Sequence, residues 1–532
     1  MDAWLAEALA TTGLQGRRAR YGCYAGRNTS VQTMQNGTLL AAVDLGSNSF
    51  RLEIGRLDHG QIQRTEYLKE TVRQGNGLDA DRNLSLAAMQ RGWDCLARFG
   101  ERLAGLRKSQ VRAVATQTLR EARNRDEFLG RACEVLGFPI DVIQGREEAR
   151  LIYQGVAHLL PQSDERRLVV DIGGRSTELI LGTGLQARVM ESYRVGSVAW
   201  SMKYFPRGEF TAEAFQRAGI AAQAILDEAL DAYRRDTWDV AYGSSGTIGA
   251  VGDALAASGW PQGRVTREGL QWLLERLLKA QNADRLRLDG IKEDRRPVIG
   301  GGVSVLMAVF DLLGIDEMHS AQGALRHGVL YDLLDREHAQ TDLRAVTVER
   351  LASKFGVDAT QANRVARVAA ALFQQLQMST PAAETERATR KLVWAARLHE
   401  IGSRISHADY HKHGAYILDN ADAPGFSQPE LHRLSLLVLG HRGKLRKLDA
   451  DFDDDGFVQM LLSLRLAVIL CHARRDPDLA GLTLTMDADR AFALTCRPGW
   501  ADAYPQSAWL LREEAEAWEK TTRQLELNGC GS

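Results

Sequence analysis

Between residues 39 and 335 short runs of Val, Ile, Leu and Ala alternate with longer stretches whose apolar positions recur every three or four residues. The first strand-like run is LLAAVD (Leu39 to Asp44), and PIDVIQ before Gly145 and DVAY before Gly243 are others. Short strands alternating with helices predict an α/β class. Past about residue 340 the strand signal fades, and 3.6-type spacing predicts helices over Arg350–Phe355, Ala362–Gln377, Ala388–His399 and Leu431–Leu439. Near the end, LTLTMD (Leu482 to Asp487) and AFALTC (Ala491 to Cys496) predict a strand pair, and Ala508–Leu525 a closing amphipathic helix. Residues 1–36 carry little apolar periodicity and read as an appended arm, which an over-long gene start at Met1 would also produce. The expected organisation is an arm (1–36), two α/β domains (37–157 and 158–337), a helical domain (338–476) and a small module of a strand pair plus a helix (477–532).

The α/β part contains an internal repeat. DLGSNSFRLEIG (Asp44 to Gly55) and DIGGRSTELILG (Asp171 to Gly182) share Asp, Gly and Ser at equal offsets, 127 residues apart. Each copy predicts a β-hairpin with a polar, glycine-bearing tip. Two related domains would set two such tips on opposite walls of one cleft. Amides and hydroxyls in such a turn can nest phosphate oxygens, and the Asp ending each first strand suits a hard cation such as Mg²⁺. A third loop, GSSGT (Gly243 to Thr247), leads to a helix expected to open at Ile248, offering amides to an anion. A fourth, IGGGVSVL (Ile299 to Leu306), follows Asp294, Arg295 and Arg296, and its glycines call for close approach of backbone to a ligand or to the sheet.

In QGREEARLIYQGV (Gln144 to Val156) the acids Glu147 and Glu148 fall in the first turn of a helix. Acids there stabilise a helix by about 0.3–1 kcal/mol and need no other reason to exist. This helix, however, follows a strand and lies between the two hairpins, at the end where α/β sites gather. Glu178 is the acid placed just past the second tip. A water attacking phosphorus gains roughly 10²–10⁴-fold from a carboxylate that takes its proton.

Composition limits the partners. The 532 residues suggest three or four domains at ~150 residues each. With 67 Lys+Arg against 68 Asp+Glu, whole-molecule steering toward nucleic acid is excluded, and a polyanion must be met by local charge. No apolar run approaches the ~20 residues of a membrane span, and the opening stretch lacks signal-peptide order, so the cytoplasm is expected. Six cysteines (Cys23, Cys95, Cys133, Cys471, Cys496, Cys530) show no CxxC spacing, which argues against a zinc cluster or a disulfide framework and reads as thiols. Arg accounts for 56 of the 67 basic residues, a bias that phosphate recognition or a GC-rich genome would both give. Seven of the twelve histidines fall in the helical part (His399, His407, His411, His413, His432, His441, His472), but none in an HExxH spacing. The basic run HRGKLRK, with Arg442, Lys444, Arg446 and Lys447, could line a path for an anionic chain.

Taken together, DLGSNSF, TLREA (Thr118 to Ala122), GREEARLIYQGV, DIGGRSTEL, GSSGTI and GALRHGVLYD (Gly323 to Asp332) resemble the exopolyphosphatase and guanosine pentaphosphate phosphohydrolase family. That family belongs to the sugar kinase, Hsc70 and actin superfamily. WAARLHEIG (Trp394 to Gly402) and HGAYILDNADAPGFS (His413 to Ser427) extend the resemblance to the long bacterial members, whose helical domain is similar to HD-type phosphohydrolases. The resemblance implies two duplicated actin-like domains facing a cleft, followed by an HD-like helical domain and a small α+β tail. It implies release of orthophosphate from inorganic polyphosphate or, alternatively, conversion of pppGpp to ppGpp, with Mg²⁺ and as a homodimer. Nucleic acid and an integral membrane segment are not expected. An actin-like ATP-binding or kinase protein, or a polyphosphate sensor without turnover, are the readings from other classes. By position Glu148 matches the catalytic base, while Asp171 and Glu178 match acids that bind metal or support the water, and Asp44 matches the first-loop Asp. Gly46, Ser47, Asn48, Ser49, Gly173, Gly174, Ser176, Thr177, and Gly243, Ser244, Ser245, Gly246 and Thr247 match phosphate-loop positions. Arg120 matches a phosphate-contacting Arg. Three positions depart from the family pattern: Arg175 stands for a loop glycine, either restricting the loop or adding a guanidinium beside the phosphate; His327 stands for an acid; and His399-Glu400 replaces His-Asp, leaving the HD-like domain without its usual metal pair.

Overall fold

The computed structural model describes residues 35–337, 342–377, 380–487 and 490–530. All but the last two residues of the N-terminal arm lie outside them. The first sheet holds β1 (Leu39–Leu45), β2 (Phe50–Asp58), β3 (Gln61–Glu70), β4 (Val111–Ala115) and β5 (Ile140–Val142) in the order β3-β2-β1-β4-β5. β1 to β3 form an antiparallel meander, and β4 and β5 add parallel strands beside β1. The second sheet comprises β6 (Arg166–Ile172), β7 (Thr177–Thr183), β8 (Gln186–Tyr193), β9 (Val240–Ser244), β10 (Arg264–Thr266) and β11 (Glu317–Ser320), ordered β10-β11-β9-β6-β7-β8. Read from β8 it repeats the first sheet, with β10 added at the far edge. The motif repeat is therefore a repeat of topology. β1 reads as an almost unbroken apolar run, and β6 is apolar over residues 168–170, because both faces are covered.

Two helices cross between the sheets. Gly145–His158 leaves the first sheet after β5 but packs on β7 and β8 of the second, whereas Leu325–Glu337 leaves the second sheet after β11 and packs on β1. Their shared core draws Leu40, Ala42 and Val114 from one sheet and Val169 and Ile180 from the other around Ile152, Val156, Val329 and Leu330. The approach leaves no room for side chains: a Cβ on Gly155 would lie 2.3 Å from the Ala324 carbonyl oxygen, and one on Gly328 only 1.8 Å from that of Leu151.

The glycine run read as a fourth loop, close to a ligand or to the sheet, is instead helical. Gly300 to Gly302 sit inside the helix Ile299–Leu313, where a Cβ on Gly301 would meet the backbone at Ser197 and Ser201 at 2.5 Å. These glycines let that helix press against the helix Ser197–Tyr204. The segment Arg296–Leu313 is long and apolar enough by composition to cross a membrane, which the sequence reading had not registered; 67% of it is buried in the protein interior.

The C-terminal half contains the helices Leu343–Lys354, Ala359–Leu376, Ala382–Leu398, Tyr410–Asn420, Gln428–Gly440 and Asp455–Leu470. The last is apolar around most of its circumference and gives no periodic signal in the sequence. The closing sheet has three strands, not two: β12 (Leu482–Met486), β13 (Phe492–Cys496) and β14 (Leu525–Asn528). The expected final helix ends at Trp518, and the chain returns as β14 parallel to β13. That return brings Cys496 and Cys530 into a disulfide, correcting the reading of both as thiols, since a 34-residue separation carries no local spacing signal. Leu484, Leu494 and Trp518 share one core with Phe373 and Leu462 of the helices.

The helix crossing can be tested by a substitution pair. Gly328→Ala is expected to destabilise the protein by about 3 kcal/mol, the upper end of the usual overpacking cost. Gly249→Ala, at a helical glycine with open space around it, is expected to be neutral or to stabilise by roughly 0.5–1 kcal/mol. Urea denaturation midpoints measure both; equal midpoints for the two variants would remove the crossing as a constraint.

Candidate active site

The two hairpin tips face each other across a cleft of about 400 Å³. Gly46, Ser47, Asn48 and Ser49 line it from the first domain, and Gly173, Gly174 and Ser176 from the second. The approach is close, for a Cβ added at Gly174 would stand 3.0 Å from that of Ser47. Asn48 Nδ2 and Ser49 Oγ are buried with no hydrogen-bond partner in the protein. Buried polar groups are ordinarily paired, so these two donors on the cleft wall can meet an acceptor there. Ser245, Gly246 and Thr247 of the third loop complete the wall. The helix there begins at Ser245, earlier than the expected Ile248, because Ser245 takes φ 90° and its Oγ accepts from the Thr247 and Ile248 amides at 3.2 and 3.4 Å. A non-glycine residue in this backbone region stores strain of order 1–3 kcal/mol, a frequent mark of functional loops.

Four carboxylates gather below the tips. Asp44 lies opposite Arg51 in the β1/β2 register, and Asp171 opposite Glu178 in β6/β7. Asp44 pairs with Arg51 at 3.0 Å. Asp44, Asp171 and Glu148 line the cleft, whereas Glu178 stands outside that lining and accepts from Ser192 Oγ at 2.7 Å. The helix of the acid pair begins at Gly145 and splits its two acids. Glu148 faces the cleft. Glu147 turns away, held by Arg150 at 2.8 Å and by the Gly425 amide of the helical unit at 2.8 Å.

Burial pushes the Glu148 carboxyl above its ordinary value; the Arg120 guanidinium, at 2.7 Å, pulls it down, and Asp44 adds a small upward push. Burial likewise raises Asp171, to about 6, against a hydrogen bond from Ser244 and with help from Glu148. Burial, then Glu148 and Asp171, hold Glu178 well above the usual carboxylate range. Burial and mutual repulsion thus act together on these acids.

Of the remaining phosphate-loop residues, Thr177, Gly243, Ser244, Arg120 and Arg175 lie outside the cleft lining. Thr177 Oγ1 donates to the Val195 carbonyl, and Ser244 Oγ to that of Gly323. Arg120 is held between Glu148 and Gln117. Arg175 neither blocks the loop nor points at the cleft but reaches Glu121 on the opposite domain. His327 faces buried Glu53 at 3.3 Å, where an acid would repel it. Exposed Arg442, Lys444, Arg446 and Lys447 lie outside the lining as well. His399, His411 and His441 are buried near one another, but among the described residues no three His, Cys, Asp or Glu side chains converge to cage a metal.

Sequence reasoning missed the cations of the cleft. Arg51, Lys69, Lys292, Arg295 and Arg326 all line it. Arg51 was detectable, since it occupies the repeat position of Glu178, 127 residues away. Arg295 packs so tightly over Gly246 that a Cβ there would come within 2.1 Å of Nη2.

Comparison with known proteins finds a matching family and relatives along most of the chain. The description "Ppx/GppA phosphatase family" matches residues 54–337, and that family's domain III matches residues 343–515. The chain is 40% identical over 480 residues to a guanosine-5′-triphosphate,3′-diphosphate pyrophosphatase of Vibrio atlanticus, covering 90% of this chain and 95% of that protein. It is 39% identical over 501 residues to a protein of the same name from Aeromonas hydrophila, covering 93% and 100%. Among solved structures, an exopolyphosphatase-like protein has a TM-score of 0.50 at 25% identity, over 56% of this chain and 98% of that one. An exopolyphosphatase from Cytophaga hutchinsonii shares the fold at TM-score 0.50 and 22% identity, with the same coverage.

The raised Asp171 carboxyl makes a stability prediction. Its value moves from 3.8 to about 6, so the fold favours the protonated form; that contribution is full below pH ~3.8 and is lost as pH rises through ~6. In metal-free buffer Asp171→Asn, which cannot ionise, is expected to exceed the wild type at pH 8 by about 3 kcal/mol at most, at ~1.4 kcal/mol per pK unit. The gain should vanish near pH 4. Urea midpoints at the two pH values check it, and no gain at pH 8 would refute the raised Asp171 carboxyl.

Proposed function

The chain belongs to the Ppx/GppA phosphatase family, and from that premise we propose that it hydrolyses the terminal phosphoanhydride of pppGpp, with Glu148 as the base that activates water. The observation that carries this reading is the placement of Glu148: a carboxylate on the cleft wall, within the field of both hairpin-tip aspartates and clasped by an arginine. A protein that only binds a nucleotide has no need of a base there, and membership of a phosphatase family speaks against a kinase. The Arg175 side chain lies clear of the cleft, which removes the reason for a sensor without turnover. Of the two family substrates the sequence reading put polyphosphate first. The order reverses here because both curated relatives are named for pppGpp and are covered over nearly their whole length. The cations also favour it. Lys69, Lys292, Arg295 and Arg326 gather around the tips, suiting a ligand with phosphates on two sides of one ribose, while the basic stretch at Arg446 lies elsewhere.

In the mechanism the terminal phosphate rests between the tips, accepting from Asn48 Nδ2, Ser49 Oγ and the Gly173–Gly174 turn. Arg120 keeps Glu148 oriented and ionised, and Glu148 takes the proton of a water aligned behind the phosphorus. Arg295 and Lys292 offset charge on the departing diphosphate. Little covalent work falls to the protein, as is usual in phosphoryl transfer. The residues also fit Mg²⁺: the donors are hard oxygens, and the mutual repulsion of Asp171, Glu148 and Glu178 is what a divalent cation relieves. Asp171, with Asp44 beside it, would hold the ion together with substrate oxygens, and the ion would neutralise phosphoryl charge. A homodimer and a cytoplasmic location remain part of this reading on the strength of the family resemblance.

Phosphate release from pppGpp, long polyphosphate and ATP, each with and without Mg²⁺, tests the assignment. pppGpp is expected to give the highest kcat/KM; polyphosphate turnover above it would overturn the substrate choice. Glu148→Gln is expected to lose roughly 10²–10⁴-fold in kcat. The acid limb of kcat/KM should lie above the ordinary Glu value of 4.5 and move further up in Arg120→Gln, because the guanidinium holds Glu148 down.

A further inference from the structure

Arg175 sits at the phosphate-bearing tip of the second hairpin, yet its side chain leaves the cleft. Nε and Nη2 donate to Glu121 Oε2 at 3.0 and 2.8 Å, and Nη1 donates to the Gly75 carbonyl at 3.2 Å. Both acceptors belong to the first domain. One side chain thus ties the second tip to the opposite wall.

The tie continues inward without a gap. Glu121 Oε1 accepts from Gln117 Nε2 at 2.6 Å. Gln117 Oε1 accepts from Arg120 Nη2 at 2.6 Å and Nε at 3.0 Å. Arg120 Nη1 then donates to Glu148 Oε2 at 2.7 Å and to the Ile143 carbonyl at 2.9 Å. The two oxygens of Glu121 are divided, one for Arg175 and one for Gln117, and this division decides which end of the Gln117 amide meets Arg120. A planar guanidinium gripped on two edges keeps a single orientation toward its carboxylate. A side branch supports the first tip, since Gly75, whose carbonyl Arg175 holds, donates its own amide to the Ser47 carbonyl at 2.8 Å.

We propose that Arg175 is a positioning residue which couples approach of the two hairpin tips to the alignment of Glu148, acting through Glu121, Gln117 and Arg120. The inference rests on the reading of Glu148 as the base. Arg175 rides on the second hairpin, whereas Glu121, Gln117 and Arg120 share the short helix Gln117–Glu121 of the first domain. When the domains part, the guanidinium must leave Glu121. An unclasped Glu121 frees the Gln117 amide to turn, and Arg120 loses the partner that holds it square to Glu148. The base is then aligned only while the tips are together, which is the state in which a phosphate is gripped between them. A family-typical glycine at position 175 has no side chain with which to make this connection.

The test uses the full-length protein and phosphate release from pppGpp. Arg175→Gln and Glu121→Gln, which break the same joint from opposite domains, are each expected to lower kcat roughly tenfold or more while KM stays within about twofold, the signature of lost alignment rather than lost binding. The double variant should be no slower than the worse single one. Arg175→Lys should recover part of kcat, because an ammonium can meet Glu121 but cannot reach Gly75 with the same fork. Far-UV circular dichroism and melting temperature establish that each variant is folded, and either single variant suffices should the other misfold. A raised KM with intact kcat in Arg175→Gln alone would make Arg175 a phosphate contact and overturn the proposal. Unchanged kinetics in both variants, or losses that multiply in the double variant, would overturn it as well. Wild-type turnover by Glu148→Gln would remove the base assignment and this proposal with it, and that variant distinguishes the two failures.

Discussion

The contact on which this molecule depends is the crossing of the helices Gly145–His158 and Leu325–Glu337 at Gly155 and Gly328. Each helix originates in one domain and packs on the other, so the two sheets cannot separate without unpacking a common apolar core. Backbone meets backbone there, and packing of that kind tolerates hinge or shear displacement better than it tolerates added volume. Beside the crossing, Asp332 accepts from Arg112 and Arg150, and Arg150 also holds Glu147. Burial alone would push the Asp332 carboxyl up, but Arg150, Arg112 and Arg336 hold it below the usual range. Removing one member would strand buried charge, which is why such networks define one arrangement more than they add stability. The crossing also places Glu148 at the start of one of its helices, beneath both tips. Core packing thereby fixes where the backbone of Glu148 stands, and the Arg120 contact orients its side chain.

Charge in the cleft is arranged against its surroundings. A chain whose formal net charge is −1 lines one cavity with Arg51, Lys69, Lys292, Arg295 and Arg326 against Asp44, Asp171 and Glu148. Cations and acids intermingle there, as the Asp44–Arg51 pair at 3.0 Å shows, so an anionic group entering the cleft meets both signs of charge. Acids kept partly protonated by burial, such as Asp171, repel that group less than ionised ones would, until a cation or the substrate changes the balance. Specificity in such a site follows from where the cations stop, not from net charge.

The sequence disclosed what repeats and what is periodic. The 127-residue offset between the DxG motifs found the duplicated sheets, and the placement of Asp44, Asp171 and both tips followed from reading each hairpin as strand, turn, strand, while Glu148 followed from its place at the start of a helix after a strand and from the family resemblance. Features that depend on the partner across a gap were hidden. Nothing local marks Arg295 as lying over Gly246, or shows that Arg175 turns outward to Glu121. The triple glycine at 300–302 was ambiguous, because close approach is demanded equally by a ligand and by a neighbouring helix, and the neighbour is Ser197–Tyr204. Helix Asp455–Leu470 escaped for the opposite reason: buried nearly all round, it has no polar face to give a period. β14 and the Cys496–Cys530 bond were invisible together, since the strand pairing creates the proximity.

The paired acids show how adjacent positions can serve different neighbours. Successive residues on an α-helix point about 100° apart, so Glu147 and Glu148 cannot face the same partner. Glu148 takes the cleft side and meets Arg120; Glu147 takes the other and accepts from the Gly425 amide, which belongs to the helical unit. Arg146, one residue earlier, pairs with Asp422 of the same unit at 2.7 Å, although both groups are partly exposed and the pair contributes little by itself. Arg336 on the second crossing helix donates to the Gly425 carbonyl and to Glu430. The helical unit is thus braced against both crossing helices at the end that carries Glu148. Its contact residues fall in the segment HGAYILDNADAPGFS and just beyond, so that segment is constrained by the active-site helix even though none of its side chains lines the cleft. This bracing is the physical connection through which the helical unit bears on the orientation of Glu148.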